Sequence, residues 1–255
     1  MASSSSSARD AIVAMAAKYS EGLPGYVDST RSPSSSPVTV LLTGHRPPHR
    51  SPSSSPVTVL LTGSTGHLGS EILTLLLTDK RVERVRGVLD GATAGVRDRQ
   101  RARWADKGLD DELLQSPKLV PLEGDVSEPR FGQSEDVCGE MLASVSVIIH
   151  TAWRVNSNHP LDAFESSVKG VRALAGLAGC PHTRSLRFLF TSSTTAARSW
   201  EDVSVGDADM TSSPEDVIAG LGYGQSKYVA VRLRAEQVRR RASGIEFASV
   251  RIGQS

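Results

Sequence analysis

A tyrosine and a lysine late in this sequence have a spacing that suits proton transfer. Tyr223 and Lys227 are four residues apart, which places both side chains on one face of a helix. A lysine ammonium beside a phenol favours the phenolate, so the tyrosine could donate and accept a proton near neutral pH. Because the pair stands in the longer string Gly222-Tyr-Gly-Gln-Ser-Lys227, we prefer this interpretation to a tyrosine that is merely exposed at the surface.

A second pattern, about 160 residues earlier, could bind a diphosphate. Gly63, Gly66 and Gly69 have the spacing G-x-x-G-x-x-G, between an apolar run at 57–62 and apolar residues at helical spacing over 68–76. A strand, a glycine turn and a helix start bind the pyrophosphate of a dinucleotide, because the turn brings backbone N–H groups and the positive end of the helix dipole to the anion. An ordinary glycine turn is the alternative, and the presence of the second motif argues against it.

The elements that must position these residues alternate between strand and helix from Val57 onward. Short apolar runs predict strands, and amphipathic periodicity predicts helices. We predict strands at 57–62, 84–89, 118–121, 145–151, 186–192 and 246–251, and helices at 67–78, 95–106, 133–143, 161–178 and 223–242. Repeated β-α-β units with apolar strands indicate an α/β fold, a doubly wound Rossmann-type parallel sheet with helices on both faces.

The composition argues against several classes of protein. The chain has 255 residues and a formal net charge of +1 with both signs interspersed, so we expect no nucleic-acid or membrane partner. Cys138 and Cys180 suit a reducing compartment and form no metal motif, and the N-terminus lacks the pattern of a secretory signal. We therefore expect a cytoplasmic protein without a metal site.

Residues 1–56 are predicted to form a leader to a domain at 57–255. Apolar residues at helical spacing indicate a short helix from about Ala8 to Tyr19, whose apolar side could dock on the domain or on a neighbouring module. Residues 31–44 and 50–63 have the same sequence. Only the second copy can be the nucleotide-binding strand, because the first runs into two prolines, which lack backbone N–H groups. We expect the first copy to be disordered or loosely attached.

Several strings of residues resemble a known family of enzymes. The glycine run and the Tyr/Lys pair, together with the strand ends at 149–152 and 190–194, resemble extended short-chain dehydrogenases/reductases. A narrower resemblance is to the thioester reductase domains of fungal nonribosomal-peptide-synthetase-like enzymes and carboxylic acid reductases. It rests on the strings at 149–156, 160–165, 222–230 and 250–254. The likeness covers most of the chain from about residue 57.

The resemblance implies a reaction and a set of site residues. The reaction is reduction of an acyl thioester on a phosphopantetheine carrier domain to an aldehyde or alcohol, with NADPH as the cofactor. Tyr223 would protonate the carbonyl oxygen, and Lys227 would lower the pKa of Tyr223 and bind the nicotinamide ribose. Ser193, with Thr194 as the alternative, would hold the carbonyl oxygen. The implied cofactor contacts, besides Tyr223 and Lys227, are Gly63, Ser64, Thr65, Gly66, His67, Leu68, Gly69, Asp90, Arg99, Asp125, Val126, Thr151 and Ala152.

One residue favours the other nicotinamide cofactor. Asp90 follows the second predicted strand, and an acid there binds a ribose 2′-hydroxyl and repels a 2′-phosphate, which favours NAD. Arg97, Arg99 and Arg101 lie just beyond and could hold that phosphate. Because Arg99-Gln100 also resembles a pair in the family, we expect NADP(H), with NAD as the alternative.

Two other functions stay open at this point. The same fold carries sugar-nucleotide epimerases and dehydratases, and it can also bind a nucleotide without turnover. The sequence stops at the sixth predicted strand, where the family continues into a substrate subdomain, so we expect this polypeptide alone to reduce thioesters slowly or not at all. His150 is expected to line the adenine side or fill the core, and Trp153 fits a core residue better than a substrate platform.

Overall fold

The computed structural model of the protein describes residues 2–23, 57–89, 95–156, 158–178, 186–197, 221–240 and 245–252. The first copy of the duplicated segment, Asp90 and Cys180 lie outside these ranges. None of the helices in the described ranges is long and apolar enough to cross a membrane.

The described part of the chain builds one six-stranded sheet in the order β3-β2-β1-β4-β5-β6, and every neighbouring pair of strands is parallel. The strands are β1 Val57–Thr62, β2 Val82–Leu89, β3 Leu119–Glu123, β4 Val147–His150, β5 Leu186–Ser193 and β6 Ile245–Ile252. The strand order reverses between β1 and β4, and such a switch point is where open α/β sheets bind their ligands. The predicted fold class is confirmed.

Helices connect the strands and cover both faces of the sheet. They are α1 Ala2–Ser20, α2 His67–Thr78, α3 Val96–Asp106, α4 Glu135–Ser144, α5 Glu165–Ala178 and α6 Gly222–Arg240. The helix predicted at 161–178 begins with a separate 3-10 turn, Leu161–Phe164, as helix N-termini often do. The strand predicted at 145–151 is shorter, because the Val145 N–H donates to the Met141 carbonyl and so terminates α4.

The two faces of the sheet bury separate hydrophobic clusters, because successive side chains of a strand point to opposite faces. On β1, Leu60 belongs to the cluster that α5 and α6 cover, whereas Val59 and Leu61 belong to the cluster that α2 and α3 cover. Trp104 of α3 is fully buried in this second cluster. Burial on both faces explains why the strands are apolar along their whole length.

α1 contributes side chains to the first cluster. Ile12 is fully buried, and Tyr19 and Leu23 are nearly so. The Tyr19 hydroxyl donates to Glu165 Oε1 at 2.7 Å, and Lys18 Nζ forms an ion pair with the same oxygen at 2.5 Å. The helix begins at Ala2, earlier than the predicted start at Ala8, because serine lowers helix propensity only modestly and does not end a helix. We predicted that α1 docks either on the domain or on a neighbouring module. In the structure it packs against the domain.

Candidate active site

The glycine turn between β1 and α2 leaves an open helix N-terminus. Gly63 has a φ of +75°, which favours glycine, and a Cβ on it would lie 2.6 Å from the Ala152 nitrogen. A Cβ on Gly69 would overlap the Gly63 carbonyl, so α2 packs against the turn at backbone distance. Gly66 precedes His67, the first residue of α2, and no described side chain caps this end of the helix. The first N–H groups of α2 are therefore available to an anion.

Side chains of α3 brace this turn. Ser64 Oγ donates to Gln100 Oε1, and Gln100 Nε2 donates to the Ser64 carbonyl, both at 3.0 Å. Arg103 Nε donates to the Thr65 carbonyl at 3.1 Å. The sequence did not predict Gln100 or Arg103 as turn contacts, because a helix one strand away gives no local signal of what it touches. Ser64, predicted as a cofactor contact, uses its side chain for this brace.

A cavity of about 670 Å³ opens where the glycine turn meets the carboxyl ends of β4 and β5. Eight predicted site residues lie in its wall, namely Gly66, His67, Leu68, Gly69, Thr151, Ser193, Tyr223 and Lys227. The rest of the wall consists of Trp153, Val155, Thr191, Ser192, Thr194, Thr195, Leu221, Gly224 and Ile252. The fold therefore brings both sequence motifs to one cavity.

Tyr223 and Ser193 meet where α6 begins beside the end of β5. A side-chain hydrogen bond joins them. A Cβ on Gly224 would lie 2.6 Å from the Thr195 carbonyl, so this glycine lets α6 lie against the turn that follows β5. Ser193 Oγ accepts the Thr195 N–H at 3.2 Å and lies 2.9 Å from the Thr195 hydroxyl. Thr195 thus orients Ser193, a contact that the sequence did not predict, while the alternative residue Thr194 has an exposed side chain.

Lys227 is buried in the cavity wall. It is 2% exposed, and its Nζ donates to the Thr191 carbonyl at 2.6 Å. The same nitrogen lies 4.1 Å from the centroid of the Trp153 ring and 4.7 Å from that of Phe190. Burial lowers the pKa of Lys227 to about 7, far below the ordinary value of a lysine. Trp153, expected in the core, packs against the core and also lines the cavity.

The electrostatic state of Tyr223 differs from the predicted one. The sequence predicted that Lys227 lowers the pKa of Tyr223, but the lysine Nζ lies 5.9 Å from the centre of the tyrosine ring and donates to Thr191. Burial raises the pKa of Tyr223, and the hydrogen bond with Ser193 opposes that rise without cancelling it. The prediction of a depressed tyrosine pKa is wrong, because burial raises the pKa and the lysine is directed to the Thr191 carbonyl instead. The phenol is protonated at neutral pH.

Buried side chains tie together the ends of β1, β4 and β5. His150 is fully buried, with Nδ1 2.6 Å from Thr62 Oγ1, and its carbonyl accepts from Thr191 Oγ1 at 3.1 Å. Burial, helped by the positive charges of Lys227 and Arg234, lowers the pKa of His150 to about 3. The imidazole is therefore neutral. Of the two roles expected for His150, the structure shows the core residue.

Seven of the predicted cofactor contacts in the described ranges lie outside the cavity wall, namely Gly63, Ser64, Thr65, Arg99, Asp125, Val126 and Ala152. Asp125 Oδ1 accepts hydrogen bonds from the N–H and the hydroxyl of Ser127, both at 2.7 Å. Val126 is buried in the first cluster, and the Arg99 side chain is exposed on α3. The cofactor role of these residues stays a prediction.

Comparison with known sequences agrees with this geometry. The NAD-binding family model described as "Male sterility protein" matches residues 61–253. An adenylate-forming reductase from Serpula lacrymans var. lacrymans is 40% identical over 254 residues, which cover 93% of this chain and 20% of that protein. The chain thus spans about a fifth of the length of this curated relative.

Solved structures share the fold. A reductase domain of a nonribosomal peptide synthetase from Mycobacterium tuberculosis is 26% identical, with a TM-score of 0.59 over 80% of this chain and 49% of that one. The terminal R domain of the myxalamid PKS-NRPS pathway is 23% identical, with a TM-score of 0.69 over 96% of this chain and 56% of that one. The predicted resemblance to reductase domains is confirmed, and a nicotinamide cofactor agrees with the family. From residue 61 to residue 253, the chain belongs to the NAD-binding family described as male sterility protein.

Proposed function

We propose that this chain is a reductase domain that uses a nicotinamide cofactor to reduce an acyl thioester, held on a phosphopantetheine carrier domain, to an aldehyde or an alcohol. The observation that carries the proposal is the single cavity lined by the start of α2, Ser193, Tyr223 and Lys227. The substrate class rests on relatives named as an adenylate-forming reductase and a nonribosomal-peptide-synthetase reductase domain. These relatives do not favour the sugar-nucleotide chemistry that the sequence left open. The cytoplasmic location remains part of the proposal.

The glycine turn fits the diphosphate of such a cofactor. Side chains at Gly63 or Gly69 would occupy space that backbone atoms hold, so the turn is a cradle built from bare backbone. The uncapped N–H groups at the start of α2 point a positive dipole end toward the cavity. When bound, the cofactor supplies the hydride.

Tyr223 is the proton donor in this proposal. Hydride addition to the thioester carbonyl leaves negative charge on its oxygen, and a positioned acid must protonate it. The C–S bond of the resulting hemithioacetal then breaks, its hydroxyl proton passes to the departing carrier thiol, and the aldehyde is left. Burial raises the pKa of Tyr223, which keeps the phenol protonated and ready to donate. Because Ser193 is hydrogen-bonded to Tyr223, both hydroxyls can bind the same oxygen. The Lys227 ammonium, buried in the same wall, favours the negative charge that remains on the phenol after transfer.

We propose NADP(H) rather than NAD as the cofactor. Arg97 and Arg101 line a second, small cavity of about 30 Å³ beside Ser64, and Arg99 is exposed on the same helix. Guanidinium groups bind phosphates through paired hydrogen bonds, which suits the extra 2′-phosphate of NADP(H). Calorimetric titration should give a lower Kd for NADPH than for NADH. A lower Kd for NADH would instead support the role that the sequence suggests for Asp90.

The test is single-turnover reduction of an acyl thioester loaded on a carrier domain, with NADPH. Tyr223→Phe should lower the rate at least about 100-fold, because general acid catalysis contributes that much, while the Kd for NADPH changes far less than the rate, because Phe keeps the ring and removes only the hydroxyl. Tyr228→Phe is the matched control, since Tyr228 lies on the same helix, is 2% exposed and does not line the cavity.

Two results would overturn the assignment. Equal rates for Tyr223→Phe and the unaltered protein would remove Tyr223 from the reaction. Tight NADPH binding with no reduction in either protein would identify a nucleotide-binding module without turnover, which the sequence also left open.

A further inference from the structure

The Lys227 ammonium lies among aromatic rings. Its Nζ is 4.1 Å from the Trp153 ring centroid, 4.7 Å from that of Phe190 and 5.9 Å from that of Tyr223. An ammonium has three N–H donors, and the Thr191 carbonyl accepts one of them at 2.6 Å. The closest ring, Trp153, is also the ring type that attracts cations most strongly.

The charged and titratable groups around Lys227 do not offset the cost of burying its charge. The faces of the aromatic rings are therefore the main groups that stabilise the ammonium. His150 on β4 is neutral because its pKa is lowered to about 3, and Tyr223 carries its proton. Arg234, two turns further along α6, is another cation and lies 3.9 Å over the Phe188 ring. Burial lowers the pKa of Lys227, and within the described ranges no carboxylate opposes that fall.

Edge-to-face contacts with two neighbouring rings hold the Trp153 ring in place. It makes a T-shaped contact with Phe190 at a centroid distance of 5.6 Å and another with His150 at 6.1 Å. The indole N–H has no hydrogen-bond partner among the described residues, so hydrogen bonding does not explain why an indole stands here. What the ring offers to the cavity is its face.

We propose that Trp153 is a positioning residue for Lys227, and that the face of its indole holds the protonated ammonium against the cavity wall and preserves its charge. Only one part of this inference rests on the proposed function, namely that Lys227 takes part in the reaction. The contact itself exists whether or not the chain reduces thioesters. Trp153 therefore acts through Lys227, which must stay charged beside Tyr223 when the proton is transferred.

The test measures the titration of Lys227 directly, in protein labelled with [13Cε]lysine, by NMR. The Lys227 resonance is assigned as the one missing from Lys227→Gln. In Trp153→Leu, an apolar side chain replaces the aromatic face, so the charged form of Lys227 loses its attraction. We expect the titration midpoint of Lys227 to fall by about one pH unit, the equivalent of a desolvated cation–aromatic contact.

Two controls separate positioning from general damage to the fold. Trp153→Phe keeps an aromatic face and should restore most of the midpoint. Trp104→Phe removes an indole that is fully buried in the cluster on the other side of the sheet, and should leave the Lys227 midpoint unchanged. Circular dichroism of each variant shows whether it is folded.

The outcomes distinguish this inference from the proposed function. A Lys227 midpoint that is unchanged or raised in folded Trp153→Leu would overturn the positioning role. If the protein reduces a carrier-bound thioester, the alkaline limb of its pH profile should move to lower pH in Trp153→Leu by the same amount as the midpoint. If the midpoint falls but the unaltered protein shows no reduction, the positioning role stands and the proposed function fails.

Discussion

Lys227 should make the stability of this protein depend on pH in the alkaline range. Burial lowers its pKa from an ordinary value of 10.5 to about 7. Below pH 7 the amine is charged in both the folded and the unfolded chain, and the folded state carries the whole cost of burying that charge. As the pH rises from 7 toward 10.5, the unfolded chain binds more protons than the folded one, so the free energy of unfolding increases. Each pH unit of difference corresponds to about 1.4 kcal/mol, which gives an upper limit of about 5 kcal/mol.

The perturbation is Lys227→Met, which keeps a long apolar side chain and removes the charge. Urea unfolding of both proteins at about pH 6 and about pH 9.5 covers most of the window between the two pKa values. At each pH, the free energy of unfolding of the unaltered protein is subtracted from that of Lys227→Met. This difference should be about 3 kcal/mol larger at the lower pH. Taking the difference between two proteins at each pH removes the titration of all shared groups.

Lys118→Met is the matched control. Lys118 Nζ also donates to backbone carbonyls, those of Leu77 at 3.2 Å and Asp79 at 2.9 Å, but the residue is only half-buried. The change in free energy of unfolding caused by Lys118→Met should therefore differ much less between the two pH values. If the Lys227→Met difference were the same at both pH values, the reasoning that places a desolvated amine in this wall would be refuted.

Two further predictions concern the turn and the N-terminal helix. Gly69→Ala would force a methyl group into the Gly63 carbonyl, so we expect a loss of about 1–3 kcal/mol in urea unfolding together with weaker NADPH binding. In Gly66→Ala the new Cβ would lie 3.2 Å from the same carbonyl, and Gly66 lines the cavity. It should weaken binding with a smaller loss of stability, and equal losses in the two variants would count against the packing role of Gly69. Ile12→Ala should lower the free energy of unfolding by about 2–5 kcal/mol, because Ile12 is fully buried; a loss well below that range would show that α1 does not pack into the domain.

Patterns local to the sequence determined the fold class and the two motifs. Hydrophobic periodicity depends on residues a few positions apart, so the alternation of strands and helices could be predicted without knowledge of the fold. The helix predicted at 67–78 has those bounds in the structure, as α2. The glycine spacing and the Tyr/Lys spacing are also local. The sequence could therefore name eight residues of the cavity wall, but not what each of them contacts.

Strand register decided which buried polar groups meet. Parallel pairing places Thr62 opposite His150, and His150 opposite Phe190. That register fixes the Thr62–His150 hydrogen bond and the ring beneath Lys227. No pattern along a single strand encodes it, because the paired residues are about 40 to 90 positions apart in the chain.

The sequence by itself determined that a phenol and an amine share one face of α6, near a turn that suits a diphosphate. Only the tertiary structure decided their protonation. Lys227 stands four residues from Tyr223, and this spacing suggested that its charge controls the tyrosine. In the folded protein, burial raises the pKa of Tyr223 and lowers that of Lys227. Burial is set by distant parts of the chain packing together, and here removal from water is the largest influence on both groups.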